Sequence, residues 1–409
     1  MPWGRKLSMT IAGALLGAAA LTMACRCFWH GAAQERRVPG ALDLVELRPG
    51  PWGDVTCQRI TIAPSLEALP RLDRGPNRLV WAFTDTDAAQ AADLLARARL
   101  SKSQFQGLLT HLQPDIARRG YRLAPDAELV RTLAPHSRRR LYNWLAQSED
   151  NLAIVNAFRF CGPSPGAWLG HAPLAPATRA LVEPLIYQNG QVLFFADLPL
   201  VLPQIADAKE RRRLVRSLAA EATLRLRLHI RPGENVGPLV AYWGQGGRDQ
   251  DLKQLLQSLA RIPGGGSIDV VRLLPPFART RLYTYPRPEP PPAPGNSRDC
   301  HWTSLNFFST QPDDRFANAT QVARVLQHDF RIVSTPRLGD LVVFRSQGQI
   351  FHSAVYIADN ILFTKNGSRA CHPWMLLPLS VMRDFYPQRQ AVQVLYLRRR
   401  AAPGGGRHV

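Results

Sequence analysis

Lysine is scarce in this chain of 409 residues. Only Lys6, Lys102, Lys209, Lys253 and Lys365 occur, so nearly all of a formal charge of +20 is carried by arginine. Cysteine is sparse too. Six cysteines, two of them (Cys25 and Cys27) close to the amino terminus, are too few for a disulfide scaffold. Among the other four, Cys57–Cys161 is a pairing open to an exported protein, whereas a Cys300–Cys371 bridge would silence both thiols. No repeat of fixed period, zinc-finger spacing or basic-aromatic alternation is present, which argues against a nucleic-acid partner.

One long uncharged apolar stretch stands out. Met9 to Ala24 is rich in Ala, Gly and Leu and follows Arg5-Lys6, the layout of an export signal. Cleavage fits near Ala24-Cys25 or Ala32-Ala33. Leu21 to Cys25 is similar to a lipoprotein box, except that Thr22 stands three residues before the cysteine. With Leu7 and Ser8 the stretch also approaches the roughly 17 residues of a membrane anchor. The positive flank stays inside in each case, which places the rest in the periplasm or another extracytoplasmic space.

A pI near 10.6 suggests an anionic partner, such as a cell-wall polymer or a lipid surface. The arginine triplets 138–140, 211–213 and 398–400 read as solvated faces. Length implies two or three domains. The expected organisation is a signal or anchor over 1–32, a mainly helical region over 43–165, an α+β module over 180–286, a proline-rich linker over 287–298 and a last domain over 299–395, α+β overall.

In the helical region Asp87 opens a run through Leu95, Ser101 caps Gln104 to Leu112, and Pro125 to Leu133 and Arg139 to Gln147 follow. In the next module Leu185 to Tyr187, Asn189-Gly190 and Val192 to Phe195 make a hairpin. Ala208 to Ala222 and Leu252 to Ile262 read as helices, and Leu224 to Ile230, Leu239 to Trp243 and Ile268 to Leu274 as strands. His229 and Asp197 read as structural.

The candidate chemistry lies in the last domain. Asp299 or Ser297 is available to cap a helix beginning at Cys300, with Trp302, Leu305 and Phe308 on one face. A thiol in a first helical turn meets positive potential, and an imidazole beside it would make it a nucleophile. His352 is the candidate base, at the mouth of a strand with its ring toward the Cys300 helix. Leu341 to Phe344, Ser353 to Ala358 and Ile361 to Thr364 read as successive antiparallel strands. A three-residue turn at Ala358-Asp359-Asn360 sets Asn366 opposite His352, with Thr364 on the same face; a two-residue turn sets Lys365 there instead. Asn366 and then Thr364 are preferred as the ring's orienting group, because a lysine cannot accept an imidazole N–H. The adjacent pairs Cys300-His301 and Cys371-His372 diverge too widely to share one ion, so neither metal nor cofactor is expected.

Asp299-Cys300, Gly339 to Phe344 and His352 to Ile357 together resemble the NlpC/P60 family of papain-like cysteine peptidases, over roughly residues 296 to 390. His301-Trp302 stand where that family commonly has Ser and Gly, and Thr364 falls near its third polar residue. The resemblance implies a papain-like domain and an exported cell-envelope hydrolase acting on peptidoglycan stem peptides or another cell-wall peptide. Cys300 would attack an amide carbonyl to give a thioester, His352 would shuttle the proton and Asn366 or Thr364 would orient the ring. The second class left open is a non-catalytic envelope adaptor, with Trp302, Phe307, Tyr356 and Trp374 as packing or a recognition groove.

Overall fold

The computed structural model describes residues 44–66, 69, 79–287, 296–387 and 391–400. The expected signal or anchor over 1–32 and residues 288–295 of the proline-rich linker lie outside the described residues. No helix among the described residues is long and apolar enough to cross a membrane. The chain divides into two units, Met1–Glu46 and Leu47–Val409. The first contributes a short described strand, β1 (Leu44–Glu46).

The second unit is α+β, built on small antiparallel sheets. β2 (Asp54–Ile62) pairs along its whole length with β9 (Glu221–Ile230), which also pairs with β10 (Gly266–Asp269). β3 (Trp81–Phe83), β4 (Leu112–Asp115) and β5 (Gly120–Leu123) form a second sheet in the order β3-β5-β4. β6 (Phe158–Phe160), β7 (Tyr187–Asn189) and β8 (Val192–Phe195) form a third in the order β6-β8-β7. The hairpin expected at Asn189-Gly190 forms one residue later, since Asn189 pairs with Val192 and the turn is Gly190-Gln191, with Gly190 at φ +53. His229 is structural, its Nε2 lying 2.9 Å from Thr56 Oγ1 across the β2–β9 pair.

The helix starts follow their caps. Asp87 and Ser101 each form a capping box, with Gln90 and Gln104 respectively, ahead of Ala88–Arg97 and Lys102–Leu109. Three expectations are corrected. Leu239 to Trp243 is a helix, Gly237–Trp243, not a strand. A short apolar run fits either state; here Pro238 sits in the first turn, where its missing N–H costs nothing, and Leu239, Tyr242 and Trp243 are buried at helical spacing. Ile268 to Leu274 is a strand only to Asp269, whose side chain accepts from Val271 N and turns the chain into a 3₁₀ helix. The mainly helical region holds the β4–β5 hairpin: Pro114 bars a helix there, and Gly120 lies so close to Phe83 that a Cβ would fall 2.0 Å from its carbonyl oxygen.

The last sheet runs β11-β16-β12-β13-β14-β15, with β11 (Phe330–Val333), β12 (Leu341–Ser346), β13 (Gln349–Ala358), β14 (Ile361–Lys365), β15 (Trp374–Pro378) and β16 (Gln393–Arg399). One face of this sheet, carrying Val342, Phe344, Ala354, Tyr356, Leu362 and Met375, joins a single core with Trp81, Tyr142, Trp168 and Phe195 from the earlier sheets and helices. The other face carries the helix Cys300–Leu305: Trp374 Nε1 donates to Thr303 Oγ1 at 3.1 Å, and Phe307 meets Phe363 at 5.7 Å between centroids.

The arginine triplets are not uniformly solvated. Arg138 is fully buried beside the fully buried Asp197, with Nε 3.5 Å from Oδ2, and it donates to the carbonyls of Pro184 and Val130. Tyr142 donates its hydroxyl to Asp197. Burial pushes the Asp197 carboxyl up to about 6, against the opposing pull of Arg138 and Tyr142. An acid whose folded-state pKa is raised holds its proton more tightly when folded. Its contribution is therefore complete below about pH 4 and is lost as pH rises through about 6. Asp197→Asn should lower stability by about 3 kcal/mol by stranding Arg138, and should flatten the fall in urea midpoint expected of the native protein between pH 4 and 6.

Candidate functional site

Cys300 is the first residue of its helix, and Asp299 is the cap, accepting from His301 N at 2.8 Å and Trp302 N at 3.2 Å. Ser297, the other available cap, instead donates its backbone N–H to Ala317 O. The helix is held by Trp302, whose Nε1 reaches Asp314 Oδ1 at 3.0 Å and whose ring meets Phe277 edge-on at 5.2 Å. Cys300 is 6% exposed. The Asp299 carboxylate occupies two of the helix's unpaired N–H groups.

His352 lies on β13, fully buried, between the rings of Phe344 and Tyr386. Nε2 lies 3.0 Å from Thr364 Oγ1, and Nδ1 lies 2.8 Å from the Tyr386 hydroxyl. Thr364 gives its own proton to Asn366 Oδ1 at 3.2 Å. Its oxygen therefore accepts from Nε2–H, and Nδ1 is partnered by the Tyr386 hydroxyl. Both ring nitrogens are used.

The register question resolves through a bulge. Ala358 pairs with Ile361 across a two-residue turn, Asp359-Asn360, but Tyr356 pairs with Leu362, so Ile357 is the extra residue. The bulge restores the register that a three-residue turn would have set, and Thr364, not Lys365, shares the face of His352.

That face is not the one that carries Cys300. Ser353, the next residue on β13, meets the Cys300 helix: its Oγ is 2.8 Å from His301 Nδ1 and 2.6 Å from Ser304 Oγ, and it donates to Cys300 O at 3.4 Å. Successive strand side chains point to opposite faces, so His352 is turned away. The expected approach of the His352 ring to the Cys300 helix is thus corrected, and no hydrogen bond joins the two side chains among the described residues. The structure gathers His352, Thr364 and Asn366 and leaves Cys300 across the sheet.

Lys365 shares the Cys300 side. Its Nζ donates to the carbonyls of Gly367 and Arg369, and burial lowers it to about 8, partly offset by Cys371, Asp299 and Cys300. His301 is lowered by burial and raised in part by Asp299. Tyr386, Ser353 and His301 were not among the expected site residues. Strict alternation along 352–353 would have indicated Ser353; nothing local indicates Tyr386, which follows the helix Leu379–Asp384 and reaches His352 only through the fold. Cys161, Cys300 and Cys371 are buried free thiols, so the Cys57–Cys161 bridge is not formed.

No protein-family model, curated protein or solved structure matches this chain. Tyr386→Phe or Thr364→Val would leave one nitrogen of a buried imidazole without its partner. Each should cost about 1–2 kcal/mol in urea unfolding, with an unchanged dependence on denaturant concentration.

Proposed function

We propose that this chain is an exported binding protein of the cell envelope, whose last domain uses its thiol helix and imidazole as structure. The observation that carries this reading is the arrangement of β13, where His352 is closed on both nitrogens by Thr364 and Tyr386 while Ser353 meets the Cys300 helix. A thiol activated by an imidazole needs that base within hydrogen-bond reach. Export is supported by Arg5-Lys6 ahead of the uncharged stretch Met9 to Ala24. An anionic envelope polymer or lipid surface is the partner class favoured by a charge of +20 and by exposed arginines such as Arg212, Arg227, Arg231 and Arg261.

The second reading is a papain-like amide hydrolase of peptidoglycan stem peptides. It is favoured by the capped start of the helix at Cys300 and by the chain His352–Thr364–Asn366, an imidazole with its orienting groups. It requires His352 to face Cys300, which a one-residue slip of β13 would bring about by exchanging its two faces.

Site-resolved alkylation of Cys300 by a haloacetamide, followed from pH 6 to 9, separates the two. Under the binding reading His352→Ala, verified as folded by circular dichroism, changes the Cys300 rate at pH 6 by less than about twofold, because the thiolate population does not depend on that ring. A loss on the order of tenfold or more would establish a thiol–imidazole pair and restore the hydrolase.

A further inference from the structure

On the face opposite the Cys300 helix, a narrow cavity opens between β6, the start of β9 and the loop joining β14 to β15. Its free space is about 270 Å³ counted out to the mouth, and its enclosed part is on the scale of a single water, so only a small group enters. Arg159, Glu221, Asn366, Cys371 and His372 contribute to its walls. Glu221 is 5% exposed, and its Oε2 has no hydrogen-bond partner among the described residues. The same holds for Arg159 Nε and His372 Nδ1. Buried polar atoms are rarely left so, since each costs about 1–3 kcal/mol. Three around one cavity mark a place where a polar group belongs.

The walls are asymmetric in charge. Arg159 is clamped, with Nη2 donating to Val155 O at 3.1 Å and the guanidinium lying over the rings of Phe194 and Tyr386, so its free Nε–H has a set direction. Lys365, Arg159 and Arg369 together depress the proton affinity of His372 beyond what burial does. Burial raises the Glu221 carboxyl well above the usual range, opposed only in part by Arg159. A cation entering here would meet several positive neighbours. An anion would meet a guanidinium N–H, beside a carboxyl that burial pushes toward its neutral form. Asn366 adds a further donor, because its Nδ2 has only the thioether of Met375, at 3.8 Å, as acceptor while its Oδ1 takes the Thr364 proton.

We propose that this cavity is a binding site for a small carboxylate group, held by Arg159 and Asn366 beside the unpartnered Glu221 Oε2. Asn366 also accepts the Thr364 proton, so an occupant of the cavity touches one member of the His352 network. The site makes no use of Cys300, which lies across the sheet from it.

Binding is coupled to protonation. The titratable or charged neighbours that act on Glu221 or share its cavity are Arg159, Cys161, Tyr285, Cys371 and His372, with Lys365 and Arg369 acting in turn on Cys371 and His372. Glu221 is the group among them that must carry a proton to donate to the ligand. Affinity should therefore fall as pH rises through its elevated pKa.

The test is calorimetric titration of the full chain with sodium acetate from pH 5 to 9, against sodium chloride and methylammonium chloride at equal ionic strength. Saturable acetate binding that weakens with rising pH is expected, with none for methylammonium. Arg159→Met should weaken acetate by roughly tenfold or more, the loss of a charge-assisted hydrogen bond. Glu221→Gln, which keeps a donor but cannot ionise, should retain the low-pH affinity and lose its pH dependence, and this holds as a test even where Arg159→Met does not fold. Acetate binding no stronger than chloride, a preference for methylammonium, or a pH dependence that survives in Glu221→Gln would each overturn the proposal.

Discussion

The constraint on which the last domain depends is that its central strands are covered on both faces. Every residue of β14, all but one of β12 and of β15, and β13 from His352 onward are buried. One face completes the core built by the preceding region, and the other seats the Cys300 helix. A strand covered on both sides reads as a continuous apolar run, so polar residues within it must find partners inside the protein. His352, Ser353, Thr364 and Lys365 are such residues, and each has found them.

This explains why the same strands hold two polar clusters that do not meet. On the helix side Ser353 ties His301, Ser304 and the Cys300 carbonyl together. On the core side His352, Thr364, Asn366 and Tyr386 form a closed chain that leads to the cavity walled by Glu221 and Arg159. The backbone of the sheet separates them. Function in this region thus depends on which face a residue takes, and that depends on one residue of register.

Much of the fold is legible in the amino-acid order. The caps at Asp87, Ser101 and Asp299, the hairpin at Gly190 and the strands after Leu341 all carry strong local signals, because a cap or a tight turn is decided by a few neighbouring residues. Short apolar runs carry less. Leu239 to Trp243 suits a strand or a helix equally, and its burial beneath Trp52 and beside β13 decides for the helix. Arg138 looks like one of three solvated arginines until the fold closes Asp197 over it.

The amino-acid order by itself determined the elements of the candidate site: a thiol at a capped helix start, an imidazole on a strand, and Thr364 and Asn366 at the two-residue spacing that places them together on a sheet face. Only the tertiary structure decided how they associate. The bulge at Ile357 chose between Thr364 and Lys365, the helix settled on the Ser353 face, and Tyr386, Glu221 and Arg159 arrived from segments distant in sequence. Local rules act over a turn or a few residues of a strand, whereas the choice of face is set by what covers each side of the sheet, and that is a property of the whole packed chain.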